Sequence, residues 1–342
     1  DDFADPMARY KEVTQQTTKS NPETMGRYHT NWLNMMYPRL RLAANLLRDD
    51  GVIFISIDDV EIDNLKKLCN EIFGEENFVA QFIWQSRQNK DNRNITGVSI
   101  DHEYVVCYTK QFGHRVFRGT DRKTEQYKNP DNDPRGPWTS ANMVGLATAD
   151  ARPNLHYDLI NPADGRNYGC PEKGWRYDRN TMNRLIQEGR IIWPDNPDGR
   201  PRKKSFLNEL SDNLPGFSSI FSTGVYTNTA TKEIGGLFNR YLFDFPKPVE
   251  IIKQLISQVS NTDDTILDFF SGSATTAHAV MQLNAEDGGN RRFILVQIPE
   301  LCDEKSEAYK AGYKNICEIG KERIRRAGEK IVEEQAHLYN AV

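Results

Sequence analysis

The stretch from Ile266 to Val280 constrains the fold of this chain more than any other. Ile266-Leu267-Asp268-Phe269-Phe270 is an apolar strand carrying an acid, Ser271-Gly272-Ser273-Ala274 is a turn of small residues, and a helix starts at Thr275. Strand, tight turn and helix N-terminus in that order belong to an open α/β sheet, which binds nucleoside-type ligands at its carboxyl edge. Gly272 lets backbone approach a ligand closely, and the helix-start amides of Thr275 and Thr276 point outward. One glycine is a poor match to the G-x-G-x-x-G fingerprint, and on spacing alone an ordinary strand-to-helix turn fits equally well. Arg292 to Gln297 is the next strand, with Gln297 and Glu300 placed to meet a ribose.

The α/β reading extends over both ends of the chain. Trp32, Leu33, Met36, Leu40, Ala43, Leu46 and Leu47 recur at helical spacing, and Gly51 stops that helix. Val52 to Ile57 is a continuous apolar run, expected to be a buried parallel strand. Asp58-Asp59 then caps a helix whose apolar face includes Val60, Leu65, Leu68, Ile72 and Phe73. Phe78 to Trp84 and Tyr104 to Tyr108 are two further strands. Near the other end, Pro248 to Val259 and Thr275 to Leu283 are helices, and a long charged helix is expected over Glu304 to Ala336.

Between Gln111 and Gly235 the composition shifts to Gly, Pro, Asn, Asp and Arg with interspersed aromatics. One helix is expected at Asn180 to Gly189, capped by Asn180 and Thr181. The aromatics (Trp138, Tyr157, Tyr168, Trp175, Tyr177 and Trp193) are too many for a disordered linker, so this is an irregular α+β domain inserted into the sheet domain. It holds 18 basic against 15 acidic residues, a local surplus of three in a chain of net charge -4, which leaves the flanks at -7. A weakly basic middle between acidic flanks suits either a polyanion or a solvated face. The cations placed to contact phosphate are Arg200, Arg202, Lys203 and Lys204, with Arg87, Lys90 and Arg93 as a second group. Both also suit plain solvated loops. His29, His102 and His278 are best taken as packed or hydrogen-bonded histidines.

Composition closes off other classes. No apolar run approaches the roughly 18 residues of a membrane span. The five cysteines stand apart without a CxxC or Cys/His cluster, which predicts reduced thiols in a cytoplasmic protein and no metal site.

Several of these segments together resemble one family. Asp268-Phe269-Phe270-Ser271-Gly272-Ser273-Ala274-Thr275-Thr276-Ala277-His278-Ala279-Val280 looks like motif I of amino-group DNA methyltransferases, and Phe245-Pro246-Lys247-Pro248-Val249-Glu250 is similar to their motif X. His29 to Leu40, Asp50 to Asp59, Asn77-Phe78 and His102 to Tyr108 resemble further segments of the group. The nearest subgroup is the modification (Mod) subunit of type III restriction–modification systems, and the resemblance covers nearly the whole chain. It implies a Rossmann-like methyltransferase sheet in two parts, 1–110 and 236–342, around a target-recognition domain at 111–235. It implies S-adenosylmethionine as cofactor, held by Lys247, Pro248, Asp268, Phe269, Phe270, Gly272, Ser273, Thr275 and Gln297. It also implies double-stranded DNA as substrate, methylated on the exocyclic amino group of adenine with cytosine N4 as the alternative, a homodimer, and a partner restriction subunit.

Two departures from the pattern carry consequences. Ala274 stands where the family has Gly, so a Cβ crowds the cofactor side of the turn if φ there is positive. The catalytic Asp-Pro-Pro-Tyr is absent; Asn129-Pro130-Asp131, Asn161-Pro162-Ala163 and Asn196-Pro197-Asp198 each lack its second proline and aromatic. In the family that motif lies just upstream of a stretch like Asp2-Phe3, so the expectation is an N-terminally truncated, inactive fragment with no catalytic residue of its own. A non-catalytic DNA-binding or assembly module is the rival reading. A nicotinamide oxidoreductase fits only the strand-turn-helix and would call for a carboxylate where Gln297 stands.

Overall fold

The computed structural model describes residues 29–91, 96–113, 115–196, 199–210 and 214–340. These form two compact units, one made of the chain up to Gly119 and from Gly216 onward, the other of Thr120–Pro215.

In the larger unit α1 (Thr30–Leu46) leads to β1 (Val52–Ile57), α2 (Ile62–Phe73), β2 (Phe78–Gln85) and β3 (His102–Thr109). The order in the sheet is β1-β3-β2-β7, where β7 is Ile220–Phe221. β1 pairs antiparallel with β3, in register Val52↔Thr109 to Ile57↔Tyr104, and not with a parallel neighbour as its sequence suggested. The reason is that an all-apolar strand reports two covered faces, not a direction. Ile53 and Ile57 pack on Trp32, Met36 and Leu40 of α1 and on Leu65 and Leu68 of α2. Val52 and Phe54 pack on the opposite layer with Phe82, Ile251 and Leu255.

The cap expected from Asp58-Asp59 is not formed. Glu61 is the N-cap of α2, and Asp58 Oδ1 instead accepts from the Val60 N–H at 2.9 Å, leaving the Val60 side chain exposed. Glu61 itself is fully buried, with its carboxylate on His29 Nδ1 (2.5 Å) and Asn64 Nδ2 (2.8 Å).

The second part of this unit carries α4 (Thr227–Phe238), α5 (Val249–Val259), β8 (Thr265–Asp268), α6 (Thr275–Asp287) and β9 (Arg292–Leu295). β8 and β9 are parallel, from Thr265↔Arg292 to Asp268↔Leu295, and both end earlier than the apolar runs do. Ile266 and Phe293 pack beneath Val249, Ile256, Val280 and Leu283, so α5 serves two sheets at once. The single long terminal helix expected from the sequence is broken in two: α7 (Glu307–Lys310) ends at a turn through Gly312 (φ +100°), and α8 spans Ile316–Asn340. Helix α4, unforeseen in the sequence, occupies part of 216–235, which belongs to this unit with β7.

The smaller unit is built on an antiparallel sheet in the order β4-β6-β5, from Trp138–Ala141, Arg202–Phe206 and Ile191–Ile192. Its core joins Met143, Tyr157, Leu159 and Trp175 to Met182 and Leu185 of α3 (Arg179–Gln187). The cap of α3 is Asp178, which accepts from the Thr181 N–H at 2.8 Å, two residues ahead of the expected Asn180.

Candidate cofactor site

The turn after β8 has the conformation its small residues permit. Gly272 has φ +48° and Ala274 φ +63°, so the departure at Ala274 falls at a left-handed position, with its methyl 2% exposed. Asp268 organises the turn from the strand end: Oδ1 accepts from the Phe270 N–H (3.1 Å) and Oδ2 from the Thr276 hydroxyl (2.5 Å). The Ser271 N–H reaches Val296 O at 3.3 Å, and the Ala274 N–H closes on Ser271 O at 2.7 Å.

Residues assigned to the ligand in the sequence divide into two sets. Asp268, Phe270 and the Gly272 backbone line the turn, with the Phe270 ring 43% exposed while Phe269 packs into the core of α1, β1 and α2. Gln297 holds the turn from outside: its Oε1 accepts from the Gly272 N–H at 2.7 Å and its Nε2 donates to Ile298 O at 3.3 Å. Glu300 is exposed beyond β9. Ser273 and Thr275 are 3% and 7% exposed, and their hydroxyls face inward to a residue no sequence pattern flagged. That residue is Arg323 of α8, whose Nη1 donates to Ser273 Oγ (2.8 Å) and Thr275 Oγ1 (2.7 Å).

Lys247, just before α5, is paired with Glu103 of β3 and lies over the Trp84 ring at 5.3 Å from its centroid. Pro248 is the buried N-cap of α5. His278 is half-buried, its enclosed Nδ1 has no hydrogen-bond partner among the described residues, and desolvation, with the Arg323 and Lys330 charges, lowers its pKa to about 3, so it stays neutral.

The two basic groups are placed as follows. Arg87 pairs with Asp91 at 3.1 Å, Lys90 is exposed, and Arg93 lies outside the described residues. In the smaller unit Arg200 is exposed, and the exposed Arg202 donates through Nε to Ser140 Oγ at 2.6 Å. Lys203 stands over Tyr177 at 5.4 Å. Lys204 does not face solvent: it is 9% exposed and bound to Asp131 and Asp133, so its charge is spent inside the unit.

An aromatic ring, a glycine in a left-handed turn and a carboxylate at a strand end are features an open α/β sheet can offer an adenosine-containing group. The chain belongs to the DNA methylase family, whose model matches residues 14–325. S-adenosylmethionine is the methyl donor of that family, and Phe270, Gly272 and Asp268 fit it. Among its relatives the chain is 36% identical to the type III restriction–modification enzyme StyLTI Mod subunit of Salmonella typhimurium over 95% of its own length and 48% of that protein. It is 33% identical to the type II methyltransferase M.KpnI of Klebsiella pneumoniae, over 85% of this chain and 72% of that one. The chain spans about half the length of the three Mod subunits it matches most fully. A solved M1.HpyAVI–SAM complex aligns over 85% of this chain and 82% of that one, at 16% identity and a TM-score of 0.38. At that value the fold rests on the chain's own strands and helices.

Proposed function

We propose that this chain is the cofactor-binding and DNA-recognition part of a site-specific DNA methyltransferase of a restriction–modification system, acting on the exocyclic amino group of adenine. The observation that carries the reading is the turn Asp268–Thr275, left-handed at two positions and presenting Phe270 and the Gly272 backbone. S-adenosylmethionine, when bound, would be held by Phe270, the Gly272 backbone and Asp268 and would supply a transferable methyl on its sulfonium.

What this chain contributes is binding and orientation. Asp268 and Gln297 fix the turn, and the Lys247–Glu103 pair fixes the approach to α5. Reaching the amino group requires the base to leave the helix stack, and holding it there is the role of the Asp-Pro-Pro-Tyr that the sequence lacks. The unit Thr120–Pro215 is proposed as the target-recognition part, with Arg200, Arg202 and Lys203 as phosphate contacts and Arg87 and Lys90 as a second group. Lys204 leaves that set because its charge is already paired. Mod-type relatives support a restriction subunit as partner, and we extend the reading to a homodimer in the cytoplasm.

The test is a titration and a transfer assay. Residues 1–342 are expected to bind S-adenosylmethionine in preference to NAD, to bind duplex DNA, and to leave no methyl on it. A chain extended to the length of the Mod relatives is expected to methylate DNA, and nucleoside analysis separates N6-methyladenine from N4-methylcytosine. Equal affinity for NAD would sink the cofactor reading; DNA binding without methylation by the longer chain would favour the non-catalytic module.

A further inference from the structure

Arg323 has a position that helix formation and solvation do not explain. It sits on α8 within Lys321-Glu322-Arg323-Ile324-Arg325-Arg326, yet it is 0% exposed, while Arg325 beside it reaches solvent and pairs with Glu322 and Glu329. Enclosing a guanidinium is costly unless its donors are matched. Among the described residues only Nη1 is matched, and all three of its acceptors belong to the turn: Ser273 Oγ at 2.8 Å, Ser273 O at 3.4 Å and Thr275 Oγ1 at 2.7 Å. Nη2 lies 3.8 Å from Glu233 Oε2, and the same oxygen accepts from the Val249 N–H at 3.1 Å, the first residue of α5.

Two features of the turn call for such a clamp. Gly272 and Ala274 are both left-handed, and for alanine that region is strained because it brings Cβ close to the following carbonyl oxygen. A strained backbone of this kind persists only where the surroundings over-determine it. Asp268 and Gln297 hold the turn on its β8–β9 side, and nothing among the described residues but Arg323 bonds the Ser273 and Thr275 hydroxyls from the helix side, apart from their own 3.5 Å contact.

We propose that Arg323 is a positioning residue of the cofactor site, clamping the turn through Ser273 and Thr275 and tying it through Glu233 to the start of α5. The substrate of this clamp is the conformation itself. By fixing the left-handed turn before the cofactor arrives, Arg323 removes an ordering cost that would otherwise be met on binding. Through Glu233 it also links the Asp268–Thr275 turn to Val249, the residue that follows Phe245–Pro248. The inference rests on the assignment of this turn to S-adenosylmethionine.

The experiment separates the two. Hydrogen exchange of the ligand-free chain reads the Ser271, Gly272 and Ala274 amides in wild type, Arg323→Lys, Arg323→Met and Glu233→Gln, while calorimetry reads S-adenosylmethionine binding in the same proteins. Lysine keeps the charge beside Glu233 but loses the planar fork. Both Arg323 variants are expected to speed exchange at those three amides and to weaken binding, Arg323→Met by about tenfold, the loss of one charge-assisted hydrogen bond. Exchange in β2 and β3 is expected to be unchanged, and Arg323→Lys to be the milder. Combined with Ser273→Ala, Arg323→Lys is expected to weaken binding by less than the product of the two single effects, because they remove the same contact.

Unchanged exchange in the turn overturns the proposal, as does exchange raised throughout the unit, which would mark a purely structural arginine. Multiplicative effects of Arg323→Lys and Ser273→Ala overturn it too. If Arg323→Met does not fold, Arg323→Lys and Glu233→Gln decide by the same readings. Wild-type chain that binds no S-adenosylmethionine would count against the cofactor assignment, whereas the ligand-free exchange still decides the clamp.

Discussion

Ala274 shows how one methyl group weighs on a turn. In the left-handed region it costs roughly 1–2 kcal/mol more than a right-handed alanine, whereas a glycine would cost roughly 0.5–1 kcal/mol in chain entropy and empty a buried methyl site. These nearly cancel, so Ala274→Gly is expected to leave the unfolding midpoint almost unchanged. Ala274→Val adds a β-branched side chain at a position with 2% exposure and is expected to lower it sharply. A valine variant as stable as wild type in urea would mean that the turn relaxes freely. His278 gives a pH dependence. Its folded pKa of about 3 lies below the ordinary 6.5, so the unfolded chain takes up a proton first as pH falls. The stability this neutral imidazole contributes is complete above 6.5 and drains away between 6.5 and about 3. His278→Leu is expected to flatten acid unfolding over that window; an unchanged slope would remove His278 from the account. At this scale the sequence was legible where chemistry is local. The turn, its acid and the foreign Ala274 could all be read. Arg323 could not, because among Lys, Glu and Arg neighbours only packing distinguishes the buried guanidinium from the exposed ones.

Elements were legible as elements and less so in their partners. The apolar run of β1 announced a strand covered on both faces, but pairing direction depends on β3, more than forty residues later, and no pattern in β1 encodes it. The charged helix expected over Glu304–Ala336 was continuous in its charge pattern, and Gly312, with its left-handed turn, divided it. Strand β6 is a sharper case. Arg202-Lys203-Lys204 looks like one basic patch, but alternation puts Lys204 on the buried face with Phe206, paired with Asp131 and Asp133 over the Trp138 ring at 5.2 Å, with Lys203 on the opposite face and Arg202 exposed at the strand end. The Arg135 guanidinium, with Lys204, holds the Asp133 carboxyl well below the usual range. Lys204→Met is therefore expected to lower the unfolding midpoint of this unit, read from Trp138 fluorescence, by several degrees. Arg202→Ala is expected to weaken DNA binding and reduce its salt dependence with a smaller change in that midpoint. A Lys204→Met variant as stable as wild type would contradict the inward assignment.

Across the whole molecule the order of parts was readable and their junctions were not. The composition shift spans 111–235, whereas the smaller compact unit is Thr120–Pro215 and β7 and α4 belong to the larger unit. That larger unit depends on α5, which lays Ile251 and Leu255 on the four-stranded sheet and Val249 and Ile256 on the β8–β9 pair. Leu255→Ala is expected to cost about 2–5 kcal/mol and to lower exchange protection in β3 and β8 together. Loss confined to β3 would show that the two sheets unfold independently.

The Thr120 N–H meets Pro215 O at 3.0 Å, so the smaller unit begins and ends at a single point. To the sheet domain it is a loop whose two ends are already closed, whatever is folded between them. Such a unit is a cassette, joined to the sheet domain at one point of the chain, so recombination can exchange it at a single junction. On the proposed roles of the unit and of the Asp268–Thr275 turn, a lineage of these proteins could change what it reads while keeping how it reacts.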